Sequence, residues 1–316
     1  MKVSILVPIY GVEQYIERCA RSLMEQTYDD IEYVFVNDCT PDKSIDVLNS
    51  TLAQYPARAQ QVRIINHSKN CGIGGTRQDL IEAASGKAVL FVDSDDYLAK
   101  GAVEQLVAAM QRQAADIVDG GYSIVTSGVV ACERQPLHTT DEKYLKTILC
   151  QNVEPNRLWG RLIKLSLFKS NGIGFVNGVN YSEDFAVLPR LLLLAKRGWV
   201  DDNLYYYRDD NPLSYTNNIS TSNAVSYLKA QQIVGDFMRA SEHWSKYQFA
   251  AEMGWIGVWR FARRFDVPRR LVDEHFKLKP SCVVTRCLMA MIKADKLPFS
   301  ISDFFYKAVR RLFLSL

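Results

Sequence analysis

Regular alternation of apolar strands and helices over the first 125 residues most constrains how this chain folds. The continuous apolar run Val3–Ile9 predicts a buried strand, and residues 13–25 follow with apolar side chains at helical spacing. The alternation continues with predicted strands at 32–36, 62–65, 88–92 and from 116, and predicted helices at 41–52, 73–84 and 101–113. Strands that are apolar on both faces and alternate with helices predict an α/β fold: a mostly parallel, Rossmann-like sheet with helices on both faces.

In such a sheet, ligands bind beyond the carboxyl ends of the strands, so polar residues just after each strand become candidates. These positions hold turn-forming, amide or acidic side chains: Pro8 and Tyr10, Asp38, Asn70, and Asp93, Ser94, Asp95 and Asp96. We therefore expect the chemistry of the N-terminal half to lie at this edge of the sheet.

The run DSDD at residues 93–96 follows the apolar strand AVLFV. Three carboxylates in four residues repel one another unless a cation lies between them, and Mg²⁺ and Mn²⁺ prefer such oxygen ligands. The alternative is an acidic loop in which Asp96 caps the next helix. The run by itself is compatible with both interpretations.

Two further loops follow predicted strands. In NDCTPDKS, we expect Asp38 to contact a ligand, whereas Thr40 and Asp42 fit the start of a helix with Pro41 in its first turn. In SKNCGIGGTRQ, a loop containing glycines enters a helix and would let backbone groups or Arg77 approach a phosphate.

The segment YSEDF places Glu183 and Asp184 before an apolar helix. A carboxylate at a helix start is most often a cap stabilised by the helix dipole. If it also faces the strand-end cleft, it can act as a general base on an acceptor hydroxyl.

Charge is unevenly distributed along the 316 residues. Residues 1–220 carry 22 Lys and Arg against 27 Asp and Glu, whereas residues 221–316 carry 16 against 8. The second segment is expected to be nearly all helix, with breaks near Pro268, Pro280 and Pro298. A basic tail favours an anionic partner such as a membrane surface, or is simply a solvated helical face.

Apolar residues of the last segment fall on one helical face: Ile301, Phe304, Phe305, Ala308, Val309, Leu312, Phe313 and Leu316. Upstream, GWIGVWRFARRF mixes aromatic and basic residues. Such helices either lie in a membrane interface or pack against the rest of the protein. Because the basic residues lie away from the strand-end edge, we expect no nucleic-acid partner.

Composition and sequence patterns place the chain in the cytoplasm. The seven cysteines show no Cys-x-x-Cys pair, which favours reduced thiols. Neither a secretory signal nor a stretch of about 18 apolar residues is found. The expectation is a cytoplasmic protein, with peripheral contact on the inner face of the cell membrane if the tail binds lipid.

Together these motifs resemble family-2 glycosyltransferases with the GT-A fold. The resemblance is strong over residues 3–125, through VSILVPIYGVEQYIERCARSL, FVNDCTPDKS and NCGIGGTRQDLIEAASGKAVLFVDSDDYL, and continues loosely to about residue 216 through RLWGRLIKLSLF, the Glu-Asp pair and YYYRDDNPLSYT. It implies an inverting transferase of the bacterial surface-polysaccharide type, acting on a nucleotide-sugar donor and a glycan or lipid-linked acceptor.

The resemblance also implies residue roles. Asp38 would bind the base, commonly uracil; Asp93 and Asp95 would hold Mn²⁺ or Mg²⁺; Trp159 would line the acceptor side; and Asp184, next to Glu183, would be the catalytic base. The donor-binding set is Pro8, Tyr10, Asp38, Asn70, Arg77, Asp93 and Ser94. The implied domains are a catalytic domain over 1–220, with donor and acceptor halves divided at 125, and a basic helical region over 221–316.

The chain departs from the family pattern near the base site. Asn37 and Cys39 stand where the family usually has Asp and Gly, and Gln78 and Leu80 where Asn and Gly are common. These changes spare the implied metal and base positions but put the identity of the nucleotide in doubt.

Two other functions would also suit a nucleotide-binding α/β sheet. A nucleotidyltransferase would carry a basic, glycine-rich loop after the first strand, where this chain has PIYGVEQY. An inactive nucleotide-sugar-binding or scaffold subunit would be expected to lose Asp95 or Asp184, and both are present. The sequence leaves the donor sugar, the acceptor and the oligomeric state open.

Overall fold

The computed structural model describes residues 1–150, 156–212, 220–275, 280–293 and 299–315. The chain forms two compact units. The first, called the sheet unit, comprises Met1–His138, Arg157–Asn180 and Leu194–Asn218; the second, called the helical unit, comprises Thr139–Asn156, Tyr181–Leu193 and Ile219–Leu316. The division into a catalytic domain over 1–220 and a region over 221–316 concerns function and stays a prediction.

The sheet unit is built on one nine-stranded sheet with the order β3-β2-β1-β4-β8-β6-β9-β5, in which β7 pairs with β6. The strands are β1 Val3–Ile9, β2 Ile31–Asn37, β3 Val62–Asn66, β4 Ala88–Phe91, β5 Tyr97–Leu98, β6 Ile117–Thr126, β7 Val129–Arg134, β8 Arg161–Lys164 and β9 Arg197–Arg208. Helices separate the first four strands along the chain, which confirms the predicted α/β fold.

Strand β1 lies at the centre of the parallel part of the sheet. It pairs in parallel with β2 and with β4, and β2 pairs in parallel with β3. All seven residues of β1 are buried, since both faces of the sheet are covered there. Because β1 to β4 run in the same direction, the segments that leave them meet at one edge, as predicted.

The helices of the described chain are α1 Ile16–Met24, α2 Ser44–Leu52, α3 Gly72–Ala83, α4 Ala102–Arg112, α5 Asp141–Leu149, α6 Leu165–Lys169, α7 Glu183–Leu194, α8 Thr221–Ala240, α9 Trp244–Arg264, α10 Arg269–His275, α11 Val283–Lys293 and α12 Phe299–Ser315. The four helices predicted within residues 1–125 correspond to α1–α4. None of the helices in the described residues is long and apolar enough to cross a membrane.

Helix α2 begins at Ser44, three residues later than the predicted start at Pro41. The Asp42 carboxylate accepts hydrogen bonds from Thr40 Oγ1 at 2.7 Å and from the Ser44 backbone N–H at 3.1 Å, and these bonds form a turn before the helix. Thr40 Oγ1 also accepts a hydrogen bond from the backbone N–H of Gly11 at 2.8 Å. Thr40 and Asp42 therefore have the structural role expected of them.

The helical unit confirms the all-helix prediction over the described parts of residues 221–316. Pro268 lies between α9 and α10, and Pro280 precedes α11, whereas Pro298 lies outside the described residues. In α9, Trp255 and Trp259 are buried inside the unit. These two side chains of the upstream aromatic segment therefore pack within the protein, and membrane contact of that segment stays a prediction.

Helix α12 contacts the rest of the helical unit through a residue outside the predicted apolar face. Tyr306 is buried and its hydroxyl donates a hydrogen bond to the Met253 carbonyl at 3.1 Å. Phe304 and Leu312 of the predicted face are 69% and 65% exposed. The apolar stripe is thus only partly covered by packing.

Helix α3 packs closely on the chain that follows β8, and Gly74 lies at this contact. A Cβ at this position would lie 2.5 Å from the Val179 carbonyl oxygen and 2.9 Å from that of Val176. Alanine stabilises a helix by about 1 kcal/mol relative to glycine, but the two carbonyl groups belong to the backbone and cannot move aside as a flexible side chain would. We therefore expect Gly74→Ala to lower the free energy of unfolding by about 1–3 kcal/mol, measured by urea denaturation.

The matched control is Gly101→Ala, where the added Cβ would meet only the flexible Gln105 side chain at 3.7 Å. That variant should stay within about 0.5 kcal/mol of wild type. Equal stability of the two variants would contradict the close approach at Gly74.

Candidate functional site at the carboxyl edge of the sheet

Most of the predicted site residues of the sheet unit lie on the segments that follow β1, β2, β3 and β4. Tyr10 directly follows β1 and is half exposed, whereas Pro8 is buried within the strand. The backbone N–H of Asp38 donates to the Ile9 carbonyl at 3.0 Å, which holds the end of β2 beside the end of β1. The parallel register thus brings these segments together.

Asp38 is buried and forms several hydrogen bonds. Its Oδ1 accepts from the Cys71 backbone N–H at 2.6 Å, and its Oδ2 accepts from the Gly72 backbone N–H at 2.9 Å. Nδ1 of His67 lies 2.9 Å from Oδ1. The carboxylate therefore stabilises the first turn of α3, where the helix dipole favours negative charge; its contact with a nucleotide base stays a prediction.

Arg77 and Asp93, predicted separately as donor-binding residues, lie in direct contact. Arg77 on α3 is buried and its Nη2 donates to Asp93 Oδ1 at 2.9 Å, with the guanidinium 5.5 Å from the Phe91 ring centroid. Two further residues are predicted to bind the nucleotide-sugar donor. Asn70 is exposed and its side chain accepts a hydrogen bond from the Gly72 backbone N–H at 3.1 Å, and Ser94 is buried. The pair places a cation and a carboxylate together at the end of β4.

Asp96 is set apart from the two other acids of the DSDD run. It is 1% exposed, and its carboxylate accepts from the Tyr205 hydroxyl at 2.6 Å and from the Arg208 backbone N–H at 2.8 Å. Burial, and then the charges of Asp95 and Asp93, raise the pKa of Asp96 well above its usual range. Asp96 is therefore held by structural hydrogen bonds, which leaves Asp93 and Asp95 as the candidate cation ligands. It also caps no helix in this arrangement.

Asp93 and Asp95 retain the features of a divalent-cation site. Asp95 Oδ2 accepts from Asn211 Nδ2 at 2.8 Å. Burial, followed by the Asp93 charge, raises the pKa of Asp95, so the negative charge here is incompletely balanced. Carboxylate oxygens are the ligands that Mg²⁺ and Mn²⁺ prefer. The two residues present therefore fit such an ion.

Three residues that hold these acids were missed by sequence reasoning. Tyr205 and Arg208 belong to β9 and Asn211 follows it, more than 100 residues from the acids they contact. Tyr205 also accepts a hydrogen bond from the Asp93 backbone N–H at 3.1 Å. The only signal was YYYRDDN, a tyrosine-rich strand followed by polar residues, which does not indicate its partner.

Trp159, predicted on the acceptor side, is largely buried in a stack of aromatic rings. Its ring centroid lies 4.5 Å from that of Tyr205 and 5.1 Å from that of Tyr207, and the rings are nearly parallel. The stack supports the Tyr205 ring from one side, so Trp159 helps position the hydroxyl that holds Asp96. Contact with an acceptor stays a prediction.

Glu183 and Asp184 are the first two residues of α7, and Asp184 belongs to the helical unit. The chain enters the helix through Ser182 at φ 62°. The preceding Tyr181 is fixed to α8, because its N–H donates to Ser226 Oγ and the Ser226 hydroxyl donates to its carbonyl, both at 3.0 Å. The expected helix start is confirmed, and the role of catalytic base stays a prediction.

Tyr205→Phe tests whether one hydroxyl orders the acidic loop. The change leaves the buried Asp96 carboxylate without its hydroxyl donor, so we expect a loss of about 1–3 kcal/mol in the free energy of unfolding. Tyr206→Phe is the matched control, because the Tyr206 ring stacks on Tyr97 at 4.5 Å and a phenyl ring preserves that contact. A loss of equal size in both variants, measured by urea denaturation, would contradict the ordering role.

Comparison with known proteins agrees with this geometry. The model for glycosyl transferase family 2 matches residues 4–173. The uncharacterized glycosyltransferase EpsJ of Bacillus subtilis is 32% identical over 221 residues, which are 68% of this chain and 62% of EpsJ. The poly(ribitol-phosphate) beta-N-acetylglucosaminyltransferase TarS of Staphylococcus aureus is 26% identical over 210 residues, which are 66% of this chain and 35% of TarS. The chain thus spans less than two thirds of either relative.

Solved structures show the same fold. The crystal structure of TarS residues 1–349 aligns with a TM-score of 0.67 at 18% identity, over 98% of this chain and 92% of that one. The corresponding TarS structure with UDP-GlcNAc aligns with a TM-score of 0.60 at 20% identity and the same coverage. The mannosyltransferase PcManGT of Pyrobaculum calidifontis, in complex with GDP-Man and Mn²⁺, aligns with a TM-score of 0.55 at 13% identity, over 99% and 83% of the two chains. Since the family model matches more than half of its residues, this chain belongs to glycosyl transferase family 2.

Proposed function

We propose that this protein is an inverting glycosyltransferase that moves a sugar from a uridine diphosphate sugar to a hydroxyl of a glycan or lipid-linked acceptor. The observation that carries the proposal is the group of Arg77, Asp93 and Asp95 at the carboxyl edge of the sheet. In a chain of this family, a guanidinium paired with one of two acidic side chains suits a nucleotide diphosphate and its cation.

The donor would bind across the ends of β1, β2 and β4. Tyr10 and Pro8 would line the base pocket, Asp38 would accept a hydrogen bond from the base, and Arg77 would lie near the diphosphate. The complex of TarS with UDP-GlcNAc supports a uridine nucleotide. Asn70 and Ser94 complete the proposed donor set through their positions after β3 and β4.

A divalent cation, Mn²⁺ or Mg²⁺, would be held by Asp93 and Asp95. When bound, it would neutralise the negative charge of the departing diphosphate. The raised pKa of Asp95 supports this placement, because a cation removes the repulsion that causes part of the shift. The Mn²⁺ complex of PcManGT supports the same class of ion.

Asp184 would act as the catalytic base. A carboxylate that accepts the proton of the acceptor hydroxyl makes that oxygen the nucleophile, and single displacement at the anomeric carbon inverts its configuration. Glu183, its neighbour in the first turn of α7, would help to orient the acceptor. Trp159 would lie on the acceptor side.

The acceptor class and the cellular location extend the same proposal. TarS supports a polymer acceptor such as poly(ribitol phosphate), which is part of the name of that relative. Exposed Phe304 and Leu312 on α12, near Lys307, Arg310 and Arg311, support peripheral contact with an anionic membrane. The protein would then work on the cytoplasmic face, where nucleotide sugars are available.

Asp95→Asn tests the cation site. The change removes one negative charge while keeping an oxygen for Asn211, so Mn²⁺-dependent binding of UDP should weaken at least about 10-fold, measured by calorimetry with Mn²⁺ and with EDTA. Asp46→Asn, on the exposed surface of α2, is the control and should bind as wild type does. Unchanged Mn²⁺-dependent affinity in Asp95→Asn would contradict the assignment.

The same site gives a pH dependence with a defined sign. Since the folded-state pKa of Asp95 and Asp96 is raised, their contribution to stability is present at low pH and is lost as the pH rises through those values. In EDTA, wild-type stability should therefore fall as the carboxylates ionise. Mn²⁺ should raise the melting temperature more at pH 7.5 than at pH 4, because the cation binds Asp95 as a carboxylate. A Mn²⁺ effect independent of pH would argue for binding elsewhere.

Asp184→Asn tests the catalytic base. Removing the proton acceptor should lower transfer about 100- to 10,000-fold while leaving UDP affinity unchanged, since the residue makes no proposed donor contact. The assay measures UDP release from UDP-glucose or UDP-GlcNAc with poly(ribitol phosphate) or a lipid-linked glycan as acceptor. Transfer at the wild-type rate by a well-folded variant would remove Asp184 as the base.

A further inference from the structure

Three side chains of different chemistry converge beside the end of β2. A carboxylate oxygen of Asp38, a ring nitrogen of His67 and the Cys71 sulfur all lie within 4.8 Å of one another. They come from three separate segments: the end of β2, the chain after β3 and the start of α3. The group stands apart from Asp93 and Asp95, to which the proposed function assigns the Mn²⁺ or Mg²⁺ ion.

His67 lies between two carboxylates. Its Nδ1 lies 2.9 Å from Asp38 Oδ1, and its Nε2 lies 2.8 Å from Asp79 Oδ2, the second contact falling outside hydrogen-bond geometry. A neutral imidazole carries one N–H, so one of its two ring nitrogens keeps a lone pair that can bind a cation.

The surroundings of His67 suit a metal ligand. The ring is 10% exposed, which excludes most of the water that would compete for the ion. Metal-bound histidines in proteins commonly direct their second ring nitrogen at a carboxylate, which sets the tautomer and the ring orientation. The Asp79 carboxylate lies 2.8 Å from Nε2, and Nδ1 faces Asp38 at 2.9 Å.

Cys71 supplies a free thiol at a helix start. It is the residue that precedes the first turn of α3, and its backbone N–H is already fixed by Asp38. The thiol donates only a long hydrogen bond of 3.5 Å to the Lys69 carbonyl. The positive end of the helix dipole stabilises a negative charge at this position, which a metal-bound thiolate carries.

We propose that Asp38, His67 and Cys71 form a binding site for a borderline divalent cation of the zinc class. One sulfur, one nitrogen and one oxygen ligand, with water in a fourth position, suit the ligand preference and coordination number of tetrahedral Zn²⁺. Hard ions such as Mg²⁺ disfavour a thiolate. Binding converts the Cys71 thiol to a thiolate and releases its proton to solvent.

An occupied site would interfere with the nucleotide. The cation would bind the Asp38 carboxylate, which the proposed function assigns to the base; this consequence therefore rests on that function, whereas cation binding does not. Zn²⁺ and UDP should then compete. The ion would act as an inhibitor at low concentration, distinct from the Mn²⁺ or Mg²⁺ that assists transfer.

Titration with Co²⁺ tests the site itself. Co²⁺ replaces Zn²⁺ and gives a near-ultraviolet charge-transfer band only when a thiolate is a ligand. The full-length protein is titrated without nucleotide and with excess Mg²⁺ to occupy the carboxylates at the end of β4. We expect a band that saturates at one Co²⁺ per chain and is reversed by Zn²⁺. Absence of the band in folded protein would overturn the proposal.

Two serine variants make the titration specific. Cys71→Ser should abolish the band, whereas Cys39→Ser, which removes the exposed thiol next to Asp38, should keep it. His67→Gln should weaken Co²⁺ binding at least about 10-fold. Retention of the band in Cys71→Ser, or its loss in Cys39→Ser, would assign the ion to other ligands and overturn the site.

Competition with UDP separates the two claims. At Zn²⁺ tenfold above its own dissociation constant, the apparent dissociation constant of UDP in Mg²⁺ should rise about 10-fold in wild type and not in Cys71→Ser. A Co²⁺ band without this competition would leave the cation site standing and refute its effect on the donor. Failure of UDP to bind even without Zn²⁺ would count against the proposed function instead.

Discussion

The hydrogen bond between the buried Asp96 carboxylate and the Tyr205 hydroxyl orders the acidic loop. A buried carboxyl group without a hydrogen-bond donor would lower the free energy of unfolding by several kcal/mol. Here the Tyr205 hydroxyl and the Arg208 backbone N–H both donate to Asp96. The same hydroxyl accepts the Asp93 N–H. One tyrosine on β9 therefore sets the path of the loop after β4, and the two acids assigned to the cation depend on it.

Most of the parallel sheet was predictable because its signals are local. Continuous apolar runs, helical spacing and turn residues lie within about 12 residues of one another, and these elements formed where expected. The start of α2 was placed too early, since the turn made by Thr40, Asp42 and Ser44 depends on side-chain hydrogen bonds that Pro41 does not reveal. The antiparallel insertion of β8 between β4 and β6 has no sequence signal of that kind.

Only the part of the candidate site that follows the parallel strands could be predicted from the sequence. Asp38, Arg77 and Asp93 follow from the topology and the resemblance, and the structure brings Arg77 and Asp93 into contact. Tyr205 and Asn211 could not be found, because each contacts its acid across more than 100 residues of chain. Solvent exposure also depends on residues distant in sequence: Trp255 and Trp259 of α9 proved to be buried, whereas Phe304 and Leu312 of α12 proved to be exposed.

Pairing of β9 has a consequence for the order of folding. The four strands of the parallel part of the sheet, β1 to β4, are synthesised within the first 91 residues. The acidic loop acquires its restraints from β9 only after about 120 further residues have been made. Contacts of such sequence separation form late and slowly. A nascent chain therefore contains the four parallel strands long before it contains the residues that hold Asp95 and Asp96.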